Sequence, residues 1–150
     1  MPPEVLSKSI KNNLIRLLKR QKVMTVLLSI KPEFAYKIFD GTKKFEFRRT
    51  VFKRKDVRKV VVYASFPVQM VIGEFEIDDI LTDKVETIWN KTKRYSGISK
   101  DYFNTYFENR EYANAIQIGK IRRYKSPKSL SDYNLIAAPQ SFMYSNSPLY

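Results

Sequence analysis

Apolar residues recur along this chain with two different periods, and the switches between them outline its elements. Over residues 4–22, Leu6, Ile10, Leu14 and Leu17 or Leu18 return every three to four positions, while Lys8, Lys11, Arg16, Lys19, Arg20 and Lys22 dominate the rest. That spacing predicts an amphipathic helix. Residues 26–30 form a short apolar run, read as a strand. Lys31-Pro32-Glu33 then opens a helix, because proline suits a first helical turn and Glu33 favours the positive end of the dipole. Phe34, Ala35, Ile38 and Phe39 supply its buried face, and Gly41 ends it as a left-handed cap. Strands are expected over residues 44–49, 60–65 and 70–77, with Gly73 a bulge or a close approach. Asp83 and Glu86 read as a capping box for a helix reaching about Tyr95, with Val85, Ile88, Trp89 and Thr92 as its stripe and Gly97 as its stop. Ser99 caps a further helix carrying Tyr102, Phe103, Tyr106 and Phe107. Residues 112–124 are extended, 125–128 a loop and 139–144 a closing strand. Strands broken by a few helices predict an α+β fold, with a small closed barrel as its architecture.

Composition narrows the chemistry. At 150 residues the chain fits one domain with a real core. It has no cysteine and no histidine, which removes thiolate chemistry and the commonest general base together. Catalysis would have to rest on Lys, Glu, Asp, Tyr, Ser or Thr. Lysine and arginine number 28 against 15 acids, a net charge of +13. Residues 1–60 hold 17 basic and 5 acidic side chains, so nearly all the excess lies there. Such clustering makes a nucleic acid the leading partner class. No apolar run approaches a membrane span and no secretory h-region opens the chain, so a cytoplasmic protein without a membrane partner is expected. The basic N-terminal helix could lie on a membrane surface or act as a presequence, but packing of its stripe on the adjoining domain or a partner is the favoured reading. Met24 could be an alternative start, which divides the chain into a helix of 1–23 and a domain of 24–150.

The densest chemistry lies in residues 40–49. On a strand, Glu46 and Arg48 share one face while Phe45 and Phe47 share the other. A carboxylate and a guanidinium so placed form either a structural ion pair or the polar floor of a site. Lys43 has the wrong parity for that face and must precede the ladder or be re-aimed by a bulge. Seven of the twelve residues 48–59 are Lys or Arg, so Arg49, Lys53, Arg54, Lys55, Arg58 and Lys59 are candidate phosphate contacts. A second basic cluster, Lys120, Arg122, Arg123, Lys125 and Lys128, would extend the track if the two converge. Among the aromatics, Tyr63, Phe66, Trp89 and Tyr144 are candidates to stack on an unpaired base. Glu74, Glu76, Asp78 and Asp79 could offer oxygens to Mg²⁺, but acids at a strand end are usually solvated, and no metal or cofactor is assigned.

Gly41-x-Lys43-x-x-Glu46-x-Arg48 resembles the G-x-K-x-x-E-x-R signature of the ASCH family, whose fold is a PUA-like β-barrel. The resemblance continues in order through Ser29-Ile30-Lys31-Pro32-Glu33-Phe34-Ala35, Tyr63-Ala64-Ser65-x-Pro67 with Gly73-Glu74-Phe75-Glu76-Ile77, Trp89 with Gly97-Ile98-Ser99, and Pro139-Gln140-Ser141-Phe142-x-Tyr144. It implies a PUA-like barrel with flanking helices, carrying the N-terminal helix as an extension. It also implies a cleft for RNA or a nucleotide, lined by Gly41, Lys43, Glu46, Arg48, Tyr63 and Ser65, with DNA as the alternative polyanion. One subgroup of the wider family resembles an amidohydrolase of acylated cytidine, with a motif lysine, a threonine nucleophile and a distal glutamate. Here Glu46 stands at the threonine's position, so an enzyme would have to use Lys43 and Glu46 in another hydrolysis, such as the ribonuclease activity suggested for some relatives. The expected function is thus an RNA- or nucleotide-binding module. The alternatives are a small hydrolase in the same cleft and a regulatory module that grips another protein through its N-terminal helix.

Overall fold

The computed structural model describes residues 7–21 and 24–145, with the backbone alone for 17–21. Six strands form one sheet: β1 Met24–Ile30, β2 Phe45–Arg48, β3 Val57–Ala64, β4 Met70–Lys84, β5 Tyr112–Lys128 and β6 Phe142–Ser145. Their order is β2-β5-β4-β3-β1-β6, with β1 and β3 parallel and every other pair antiparallel. Four α-helices accompany them: α1 Lys8–Gln21, α2 Pro32–Phe39, α3 Val85–Thr92 and α4 Lys100–Tyr106. The fold is α+β, as the pattern of elements predicts.

The parallel pair explains its own sequence. A strand covered on both faces reads as a continuous apolar run, and β1 and β3 are buried on both. Val26, Leu28, Val60 and Val62 enter the main core, while Leu27, Val61 and Tyr63 enter a smaller cluster on the other face. Helix α2 provides the crossover between β1 and β3 and sends Ala35 and Ile38 into the main core. A third cluster forms where the helical segment between β4 and β5 meets the sheet. Ile88, Trp89, Phe103 and Phe107 pack there on Phe47, Ala113 and Ala115.

The ladders end at β2 and β6, which do not pair with each other among the described residues, so hydrogen bonding leaves the sheet open rather than closed as a barrel. The sheet nevertheless curls. Register shifts interrupt the β4–β5 pairing at three places, and bulges bend and twist the strands that carry them. The curl brings Arg48 of edge strand β2 to the opposite edge, where its guanidinium donates to Ser29 of β1 at 3.2 Å and to Ser141, just before β6, at 2.8 and 3.2 Å.

Three local expectations change. Strand β4 runs through the acidic patch to Lys84, and β5 continues over the expected loop 125–128. Asp83 and Glu86 make no capping box. Asp83 pairs with Ala113 in the ladder and its side chain accepts from the Lys84 N–H instead, so the extended pairing prevails over the local cap. A capping box does occur at Ser129 and Asp132, opening a short 3-10 helix, Leu130–Tyr133. Ser99 caps α4 as expected, its hydroxyl accepting from the Tyr102 N–H at 3.1 Å. On α1, Ile10 and Leu14 are exposed, so the domain does not cover that part of the stripe. Leu6, Leu17 and Leu18 lie outside the described side chains.

Gly73 is both expected things at once. It stands beside a register shift of β4 against β3, and a Cβ there would come within 2.6 Å of the Phe39 ring and 2.7 Å of the Arg122 carbonyl. The backbone carbonyl cannot give way as a side chain can. Gly73→Ala should therefore destabilise the fold by about 1–3 kcal/mol. Urea denaturation checks this: a lowered midpoint at unchanged slope is expected.

Candidate functional site

A cleft of about 530 Å³ opens where β2, the C-terminal ends of β1 and β3, and α4 come together. Lys43, Glu46, Arg48 and Ser65 line it, as do Lys31, Arg49, Tyr102, Tyr106, Arg110 and Ser141. The turn after α2 sets the geometry. Gly41, with φ +86°, reverses the chain, and the Lys43 amide bonds back to the Lys37 carbonyl before the ladder begins at Phe45. Lys43 is thus freed from strand parity, and its side chain turns inward.

Lys43 is almost wholly buried, at 2% exposure. Its ammonium donates to the Ser96 carbonyl at 2.7 Å and lies 4.8 Å from the Phe47 ring centroid and 5.4 Å from that of Phe34. One hydrogen bond and two aromatic faces replace its hydration only partly. Desolvation pulls its pKa from 10.5 down to about 8, with Glu46 opposing the shift and Lys37 adding to it. The passage for its stem depends on Gly97. A Cβ at that position would sit 2.6 Å from Lys43 Cβ and Cγ, and the residue has a φ of +68°.

Glu46 and Arg48 project from the same strand face, as their spacing requires. Burial pushes the Glu46 carboxyl up, against the charges of Lys43 and Arg48. Its Oε2 is buried with no hydrogen-bond partner among the described residues, while Oε1 lies 3.9 Å from the Arg48 guanidinium. That is a loose pairing, longer than a charge-assisted hydrogen bond. Arg48 gives its short contacts to Ser29 and Ser141 instead. The arrangement therefore combines a structural arginine with a carboxylate that keeps one oxygen uncommitted.

The ASCH domain profile matches residues 28–122, well over half of the chain. The chain belongs to the ASCH domain family. The large ribosomal subunit protein uL22 of Ureaplasma parvum is 32% identical over 120 residues, 80% of this chain and 39% of that protein. An ASCH domain-containing ribonuclease of Zymomonas mobilis is 35% identical over 89 residues, 59% of this chain and 60% of that one. The crystal structure of ASCH from Zymomonas mobilis superposes with a TM-score of 0.75 at 29% identity, covering 83% of this chain and 88% of that chain. The chain thus spans less than two thirds of either curated relative.

Not every residue expected at the ASCH cleft reaches it. Gly41 lines a second pocket, of about 460 Å³, that Lys43 also borders, and Tyr63 is buried in the small cluster with Leu27, Val61 and Val71. Trp89 packs against Phe103 at 5.0 Å in the core. Of the expected phosphate contacts, Arg49 alone lines the cleft. Arg54 pairs with Asp56 at 2.8 Å, and Arg58 donates to the Lys55 carbonyl at 2.6 Å. Lys53, Lys55 and Lys125 are exposed. The two basic clusters do converge, but on a carboxylate: Lys59 and Arg122 reach Glu74 at 2.7 and 2.6 Å, and Tyr124 donates to it at 3.0 Å. Glu74 is therefore held by cations, whose influence lowers its pKa against the opposing effect of burial. Arg123 lies over the Tyr36 ring at 5.3 Å. Sequence reasoning missed Lys31, Tyr102, Tyr106 and Ser141. The one available signal was the four-residue spacing of the two tyrosines behind the Ser99 cap, which puts them on one helix face.

Lys43 sets a pH dependence. Below about 8 the ammonium persists in both states and the folded protein bears the full burial penalty, about 3 kcal/mol for this displacement. Between about 8 and 10.5 the unfolded chain binds more protons, so that penalty is relieved as pH rises. Glu46 runs the other way: its penalty grows as pH rises from 4.5 towards its raised folded value. Lys43→Met should therefore be more stable than the parent by about 1–3 kcal/mol at neutral pH, the margin shrinking as pH approaches 10.5. Urea denaturation at pH 7 and 10 tests the sign; a destabilised variant at pH 7 refutes it.

Proposed function

We propose that this chain is an RNA-acting domain that binds single-stranded RNA in the cleft containing Lys43, Glu46 and Arg48. The observation that carries the reading is a single cleft lined by the Glu46 carboxyl together with the cations Lys31, Arg49 and Arg110. A carboxylate oxygen accepts from exocyclic amines of a base, and surrounding cations attract the phosphates on either side. The sheet's curl around Arg48 is consistent with the barrel of PUA-like domains, with side-chain hydrogen bonds standing in for the last strand pairing. Exposed basic residues beyond the cleft, among them Lys53, Lys55, Arg123 and Lys125, add attraction that does not depend on sequence.

A second reading, cleavage of the bound strand, is favoured by the opposed shifts of Lys43 and Glu46. A lysine near pH 8 and a carboxylate raised by burial are suited to general acid–base work at neutral pH. In this reading Glu46 takes the proton of a 2′-hydroxyl, O2′ attacks phosphorus, and Lys43 protonates the departing 5′ oxygen. The products are a 2′,3′-cyclic phosphate and a free 5′-hydroxyl. The similarity to the Zymomonas ribonuclease supports the same reading.

Labelled single-stranded RNA tests both. Binding should weaken steeply between about 50 and 300 mM salt, and Lys31→Ala or Arg49→Ala should each reduce the slope by about 1. A flat salt dependence refutes the binding reading. Under the cleavage reading, Lys43→Met and Glu46→Gln each slow RNA scission by about 10²–10⁴ without unfolding the protein. RNA that stays intact with the parent protein refutes cleavage and leaves binding standing.

A further inference from the structure

Tyr102 and Tyr106 stand one turn apart on α4 and both line the cleft. Their rings lie within 12° of parallel, with centroids 6.5 Å apart. The other aromatic pairs among the described residues are tilted or edge to face, including Phe34–Tyr102 at 76° and Tyr106–Phe107 at 80°. Ring quadrupoles favour both edge contacts and offset-parallel pairs. The Tyr102–Tyr106 pair is the parallel one, and both its rings are half-buried on the cleft wall, with their planes aligned as a stacked base would need.

Both rings are also fixed in place. Lys31 Nζ donates to the Tyr102 hydroxyl at 3.0 Å, and the Arg49 amide donates to the Tyr106 hydroxyl at 3.3 Å. Arg49 Nε donates to the Tyr106 carbonyl at 2.8 Å, and its guanidinium lies 4.4 Å from the Tyr106 ring centroid. Phe34 abuts Tyr102 at 5.1 Å, and Phe107 abuts Tyr106 at 4.8 Å. Held this way, the rings have little conformational freedom left to lose when a ligand binds.

We propose that Tyr102 and Tyr106 form a stacking ledge for the base next to the one held at Lys43 and Glu46. The ligand of this cleft is then a single-stranded RNA of at least two nucleotides, not a free nucleotide. This rests on the RNA reading above and adds to it the polymeric nature of the ligand. Stacking on tyrosine tolerates any base, because every base has a π face. Lys31 and Arg49, already seated beside the rings, are placed for the phosphate that links the two nucleotides. Paired bases keep their faces covered, so duplex RNA cannot use the ledge.

The test measures affinities for 2′-O-methyl mono-, di- and hexanucleotides, which offer no 2′ nucleophile, by displacement of a fluorescent hexanucleotide. With the parent protein, affinity should rise from mono- to dinucleotide. Tyr102→Leu and Tyr106→Leu should each weaken hexanucleotide binding by about 5- to 100-fold, with the slope against salt unchanged. The double variant should lose the gain from mono- to dinucleotide. Tyr106→Trp and Tyr102→Phe keep a ring and should retain binding within a few-fold, which separates stacking from a collapse of the cleft. Leucine variants that bind like the parent, or ring-bearing variants that lose as much as leucine, overturn the ledge while the RNA reading stands. A parent protein that binds none of the three lengths overturns the RNA reading and the ledge with it.

Discussion

The Arg48 guanidinium spans the two ends of the sheet, and the site depends on that span. Strand order puts β2 at one edge and the β1–β6 pair at the other. Without a contact across the gap, the short β2 would rest on its ladder to β5, the Asn114 side chain and the packing of Phe45 and Phe47. Arginine suits the role because its planar fork can serve several acceptors at once and stays charged at any relevant pH. Its partners are two carbonyls and a hydroxyl, none of which can lose its hydrogen-bonding capacity by titration.

What Arg48 gives to the fold it withholds from Glu46. At 3.9 Å the two are neighbours but not a tight pair, so the carboxyl is left in a buried setting with only partial electrostatic support. Lys43 is in the mirror situation, buried with a carbonyl and two rings around it. Each group's charge eases the burial of the other, yet both remain displaced towards neutrality. A core selected only for stability would replace such groups with apolar ones. Their occurrence together at a cleft supports the proposal of chemistry or recognition there.

Much of this was legible in the sequence where one local rule acted alone. Pro32 and Glu33 opening α2, the positive φ at Gly41, the Ser99 cap and the shared face of Glu46 and Arg48 all follow from spacing and residue type. Parity left two places for Lys43, ahead of the ladder or re-aimed by a bulge, and the first is the one found. Legibility ended where distant segments meet. The capping box at Asp83 satisfied every local criterion, yet pairing with Ala113 across β5 outweighed it. Gly97 read only as a helix stop, because its role as the gap through which Lys43 passes appears only when residues 43 and 97 are brought together. Tyr102 and Tyr106 read as part of an aromatic helix, and nothing in their spacing distinguishes a core face from a cleft wall. The convergence of Lys59 and Arg122 was a fair expectation, but the carboxylate between them was not visible.

That carboxylate bears on where the protein's positive field is felt. An ion pair with a carboxylate cancels most of a cation's field beyond a few ångströms, whereas an aromatic face orients a cation without neutralising it. Arg54 belongs to the first kind against Asp56, and Lys59 and Arg122 share the single carboxylate of Glu74, which offsets the charge of one of them. Lys31 and Arg49 at the cleft belong to the second, held by tyrosine rings, hydroxyls and backbone with no acid paired to them among the described residues. The basic run near residue 54 looks strongest when charges are counted along the chain. Weighted by partners, the unneutralised cations shift towards the cleft, where a polyanion would meet base-sized aromatic faces and the Glu46 carboxyl together.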